Sequence, residues 1–111
     1  MNRTVLSGVI KSDPVLSENK GMPILNFVLK CKSGKNQKNN RYFFESIECS
    51  AIGKGALAIY KKCKAGSKLL IEGKLHCYSI AVNGESVIKT EVLVENFEIN
   101  ENKGEAYDIE I

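Results

Sequence analysis

The chain has 111 residues, 43% hydrophobic, 26% charged and 7% aromatic, the balance of one globular domain that can build a core without disulfide or metal staples. These proportions argue against collagenous, disulfide-scaffold and fully disordered classes, and no apolar run approaches the ~18 residues of a membrane span. The net charge is only +3, but residues 1–90 hold fifteen Lys and Arg against six acids, a net of +9, while residues 91–111 net −6; a basic body with an acidic end suits a binder of polyanions.

Along the chain, Arg3 to Ile10 contains the β-prone run Val5, Leu6, Val9, Ile10, closed by the turn chemistry of Ser12-Asp13-Pro14. After a second break at Asn19 to Pro23, Ile24 to Cys31 reads as a strand with Leu25, Phe27, Leu29 and Cys31 on one face. Residues Lys32 to Arg41 contain no apolar side chain and four positive charges, which predicts a solvated loop. From Tyr42 to Ile52 the pattern alternates, with Ile47, Cys49 and Ala51 on one face and Tyr42, Phe44, Ser46 and Ile52 on the other.

Between Lys54 and Lys64 the period changes: Ala56, Ile59, Tyr60 and Cys63 recur at helical spacing before Gly66, which predicts one short amphipathic helix. Ser67 to Ser79 returns to period two, with Gly73 marking a bulge or bend. Asn83-Gly84 is a strong hairpin signal joining this strand to Val87 through Ile99. Residues 101–111 show no periodic pattern and read as an acidic flexible tail. The expected fold is all-β with one short helix: an OB-fold over residues 1–100, a five-stranded Greek-key barrel with the helix between strands 3 and 4.

The cysteines Cys31, Cys49, Cys63 and Cys77 lie 18, 14 and 14 residues apart, unlike the two-to-four-residue spacing of metal sites. They are expected as small apolar residues facing the core, with no metal and no cofactor. The N-terminal stretch turns polar by Lys11, too early for the apolar centre of a secretory signal, so a cytoplasmic, nucleoid-associated location away from membranes is expected. A single histidine, His76, leaves few parts for acid–base catalysis, and no enzyme activity is expected.

Four ordered stretches carry a resemblance: Met1-Asn2-Arg3 through Leu6-Ser7-Gly8 to Asp13-Pro14; Leu25 to Leu29; Ile52-Gly53-Lys54; and Lys64-Ala65-Gly66-Ser67 running into Ile71-Glu72-Gly73-Lys74-Leu75, followed by Thr90-Glu91-Val92. Over residues 1 to about 99 the chain resembles the bacterial-type single-stranded DNA-binding proteins. The resemblance implies an OB-fold, a homotetramer built from dimers, no catalysis, and sequence-tolerant binding of single strands in replication, repair or recombination. Related primosomal accessory proteins, dimeric and acting mainly through protein contacts, supply an alternative.

Members of that family typically place aromatics where this chain has Lys35, Ser46, Ile52 and Ile80, so the stacking platform is either rebuilt or weakened. By parity, Tyr42, Phe44 and Tyr78 are candidates for a rebuilt one, beside Ile52 and His76. Each has a plainer role available, as cover for the core's edge or as cross-strand packing. Phe27, Phe43, Tyr60 and Phe97 are assigned to the core or a subunit interface. The phosphate-tracking candidates are Arg3, Lys30, Lys32, Lys35, Lys38, Arg41, Lys54, Lys62, Lys74 and Lys89. The family's partner-docking tail suggests a similar role for Tyr107, Asp108, Ile109, Glu110 and Ile111 toward replication or repair proteins, although most of the family's linker and its usual terminal sequence are missing.

Overall fold

A computed structural model describes residues 1–100; the tail assignments, Tyr107 to Ile111, lie outside the described residues. Six strands and one helix follow in the order β1 (Thr4–Ile10), β2 (Val15–Asn19), β3 (Met22–Lys35), β4 (Tyr42–Ile52), α1 (Lys54–Lys62), β5 (Lys68–Val82) and β6 (Glu85–Asn100). The sheet runs β1-β5-β6-β4-β3-β2, and a further β1–β3 pairing closes five of these strands into a barrel. All pairs are antiparallel except β4 with β6, which meet in parallel at Cys49–Val92 and Ser50–Leu93. This closed barrel with its single helix is an OB-fold.

The sixth strand, β2, is the element that sequence patterning missed. It continues the line of β1 along the same edge of β3, since Val9 pairs with Lys30 and Val15 with Asn26. Pro14, which has no N–H to offer a ladder, falls at the break between them. The interior follows the period-two faces: Leu25, Leu29, Cys49, Ala51, Leu69, Ile71 and Val92 are buried, and Ala56 and Ile59 of α1 plug one end. The helix stops at Lys62, two residues short of its expected end, because Cys63 turns extended.

Several stretches of the resemblance prove to be ties between elements. The Asn2 side chain exchanges two 2.9 Å hydrogen bonds with the backbone of Leu75. Asp13 Oδ1 accepts from the Ala65 N–H at 2.9 Å, and the Gly66 N–H donates to the Ile10 carbonyl at 2.8 Å. At Gly73 a Cβ would collide with the Leu93 carbonyl oxygen, and the β5–β6 register slips there, leaving Glu95 unpaired on β6.

Both long hairpins run past the barrel, and this explains three corrections. Lys32 to Lys35 are not loop but the end of β3, paired with Phe44 through Tyr42 of β4, so the connection shrinks to residues 36–41. That connection is ordered by Asx turns, in which Asn36 Oδ1 accepts from the Lys38 N–H and Asn39 Oδ1 from the Arg41 N–H. Phe43 keeps the parity of the core face but stands beyond the core, 54% exposed, which overturns the core half of its assignment and leaves the subunit-interface half, and Cys77 on the other hairpin is exposed for the same reason. Tyr60 also lies outside the core, on the solvent side of α1.

Candidate nucleic-acid interface

The outer face of β3 and β4 is where aromatic and basic side chains meet. Strand alternation sends Lys30, Lys32, Tyr42, Phe44 and Ser46 to the side away from the core, and antiparallel register sets Lys30 against Ser46, Lys32 against Phe44 and Lys35 against Tyr42. The ammonium groups then fold over the neighbouring rings. Lys30 Nζ lies 4.7 Å from the centroid of Phe44, Lys32 Nζ 3.9 Å from that of Tyr42, and Lys35 Nζ 5.7 Å from the same ring. Both rings remain about half exposed. A base stacked on such a ring brings its phosphate within reach of the same lysine that the ring holds in place.

Lys11 joins this group, its Nζ 3.4 Å from Ser46 Oγ. Patterning gave Lys11 no role because it lies between the β-prone run ending at Ile10 and the turn at Ser12; its N–H donates to the Val28 carbonyl of β3 at 2.9 Å, which holds it beside this face. Lys38 and Arg41 sit on the connection at the end of this face. Ile52 is exposed at the face's other end, paired with Ile24, and Lys54 follows on the first turn of α1. Lys62 is on the last helical turn, off the sheet face.

The second part of the face comes from the β5–β6 hairpin, whose turn has left-handed φ at Asn83 (51°) and Gly84 (82°). Lys74, His76 and Tyr78 share one side, opposite Leu93, Glu91 and Lys89. His76 and Tyr78 stack with centroids 5.9 Å apart. The hairpin reaches β4 through an ion pair, Lys89 Nζ to Glu48 Oε2 at 3.4 Å, and Tyr78, Glu91, Glu48, Asn26, Ser12 and Asp13 help line an open cleft of about 370 Å³.

Two of the expected cations, and the histidine, are therefore engaged by acids. Lys89 pairs with Glu48, His76 Nδ1 lies 3.1 Å from Glu91 Oε2, and Arg3 Nε lies 2.6 Å from Glu72 Oε2 on the stretch of β5 that pairs with β1. Lys11, Lys30, Lys32 and Lys35, with Tyr42 and Phe44, form one cluster; Lys74, His76, Tyr78 and Lys89 form another, with Glu48 and Glu91 between them.

A closed five-stranded barrel with an aromatic and basic outer face is the architecture of the nucleic-acid-binding OB-folds. The model of the single-strand binding protein family matches residues 1–100, and the chain belongs to that family. Membership supports single-stranded DNA binding as its general activity. No curated protein matches the chain.

Proposed function

We propose that the protein is a non-catalytic, largely sequence-tolerant binder of single-stranded DNA that acts in replication, repair or recombination, in the cytoplasm and as a homo-oligomer of two or four chains. The observation that carries this reading is the pairing of Lys30 with Phe44 and of Lys32 with Tyr42 on one exposed face. Aromatics are missing from the four positions where the family typically has them, Lys35, Ser46, Ile52 and Ile80, but for two of these, Ser46 and Ile80, Phe44 and Tyr78 stand two residues away on the same strands. A shift of two keeps the face and moves the ring by ~7 Å, so that part of the platform is displaced rather than lost. The exposed Val5 and Leu70, on one side of the β1–β5 pair, support self-association. Docking of replication or repair proteins through residues 101–111 belongs to the same reading.

The second reading, an interaction module of the primosomal accessory kind with weak nucleic-acid binding, draws on Glu48 and Glu91 interrupting the basic face. Fluorescence anisotropy of a labelled thymine oligonucleotide at two salt concentrations, with duplex as competitor, separates the two. Binding that prefers the single strand is expected. Weak binding that salt abolishes, with no preference over duplex, would select the interaction module.

A further inference from the structure

Glu48 and Glu91 stand where a simple phosphate track would exclude them, because a carboxylate beside a passing phosphate subtracts from the attraction that drives polyanion binding. Both line the cleft that Tyr78 also lines. Each uses Oε2 for a neighbour, Glu48 in an ion pair with Lys89 and Glu91 in a contact with His76 Nδ1, and Oε1 of each accepts no hydrogen bond among the described residues. The carboxyl of Glu91 is largely enclosed, with its side chain 14% exposed, whereas that of Glu48 is half open. The cleft volume of about 370 Å³ lies at the small end of ligand clefts, ~300–1,000 Å³. It offers a ring to stack on, stiffened by His76 at 5.9 Å, and, apart from Asp13, whose Oδ1 is taken by the Ala65 N–H, two carboxylates that accept and cannot donate.

That combination fits the edge of a base better than a phosphate. An ionised carboxylate accepts hydrogen bonds only, so it favours a base edge rich in N–H donors. Unpaired guanine presents two neighbouring donors, N1–H and the 2-amino group. Thymine presents one N–H flanked by two carbonyl oxygens, which face the carboxylates unfavourably.

We propose that the cleft between Tyr78 and β4 holds one unpaired base and that Glu48 and Glu91 select guanine over thymine there, while the phosphates follow the lysines of β3. The proposal rests on the single-strand binding reading above and adds one discriminating position to an otherwise tolerant face.

The test is anisotropy at fixed salt and near-neutral pH with three labelled strands of equal length. One is all thymine, one has guanine at every third position, and one has hypoxanthine in place of guanine, a purine that lacks only the 2-amino group. The guanine strand is expected to bind about fivefold or more tightly than the thymine strand, with most of that gain lost in the hypoxanthine strand. Glu48→Ala and Glu91→Ala should each shrink the difference between guanine and hypoxanthine; Glu48→Ala, at a half-exposed side chain, tests the idea even if the Glu91 variant folds poorly. Equal affinity for guanine and hypoxanthine strands in the wild type, or a preference untouched by Glu48→Ala, overturns the proposal and leaves single-strand binding standing. Failure of all three strands to bind overturns both.

Discussion

Phe44 and Phe43 are chain neighbours with opposite fates, and the difference sets the sharpest residue-level expectation. Phe44 lies under the Lys30 ammonium on the outer face, whereas Phe43 points to the other side near Gly34. Phe44→Ala should weaken binding to a thymine oligonucleotide by about 1 to 3 kcal/mol, and Phe43→Ala, removing a ring of similar exposure, should leave it unchanged. Equal losses in both variants, read by anisotropy, would show that the outer face is not the stacking platform. The thiols give a second expectation. Burial pushes the Cys49 thiol up to about 12, with nearby Cys31 and Glu91 adding to the shift, and burial also raises Cys31. Native protein near pH 8 should therefore expose one rapidly reacting thiol per chain to a disulfide reagent, Cys77. Because Cys49 keeps its proton when folded and loses it above its ordinary 9.0 when unfolded, its contribution to stability is complete below pH 9 and drains away as pH rises toward 12. The slope from this one group is at most about 1.4 kcal/mol per pH unit. Denaturant midpoints at pH 8 and pH 10 should converge in Cys49→Ala relative to wild type.

Strand length governs what each element can do here. β3 and β4, and β5 and β6, continue beyond the barrel they close, so the same period-two face is core at Leu29 and Ile71 and solvent-exposed at Phe43 and Leu75. The bend that lets β5 serve both the barrel and the hairpin is at Gly73, packed on the Leu93 carbonyl. Gly73→Ala should cost about 2 kcal/mol or more, a fall in Tm of roughly 8 °C or more. Gly34→Ala, where the nearest atom is 4.0 Å away, should be neutral. A thermal melt in which the two variants match would remove the close-approach argument. This geometry also decides what was legible in the sequence. The faces of β3 and β4, the helix at Ala56 to Ile59, the bulge at Gly73 and the Asn83-Gly84 turn all rest on local periodicity or local φ, and the sequence carries both. Where a strand outruns its barrel is not local, so the exposure of Phe43 and Cys77 could not be read. β2 escaped because Val15 and Leu16 are too short a run to signal pairing. Lys30 and Lys32 were legible as charges, but their seats over Phe44 and Tyr42 depend on cross-strand register, and the pairing of Glu48 with Lys89 depends on how the hairpin folds back toward β4.

At the scale of the molecule, the distribution of charge predicts how salt acts on binding. Residues 1–100 carry fifteen Lys and Arg against nine acids, yet Arg3, His76 and Lys89 are each held by an acid, and the cations grouped on the outer face are those of β3 with Lys11. If about four phosphates are neutralised by that group, the logarithm of the affinity for a thymine strand should fall with the logarithm of salt at a slope near −3, since each single-strand contact contributes ~0.7. Lys30→Ala should flatten that slope by about 0.7 and weaken binding alike for every base composition. Glu48→Gln should act in the opposite sense on a thymine strand, because it removes a repelling charge and releases Lys89; its slope should steepen by up to about 0.7 and its low-salt affinity should rise. The pair of variants makes the argument asymmetric and hard to mimic by misfolding, since a damaged protein loses affinity in both. Slopes that stay the same in Lys30→Ala and Glu48→Gln, measured across a salt series at constant temperature, would mean that the phosphates run along another face of the barrel.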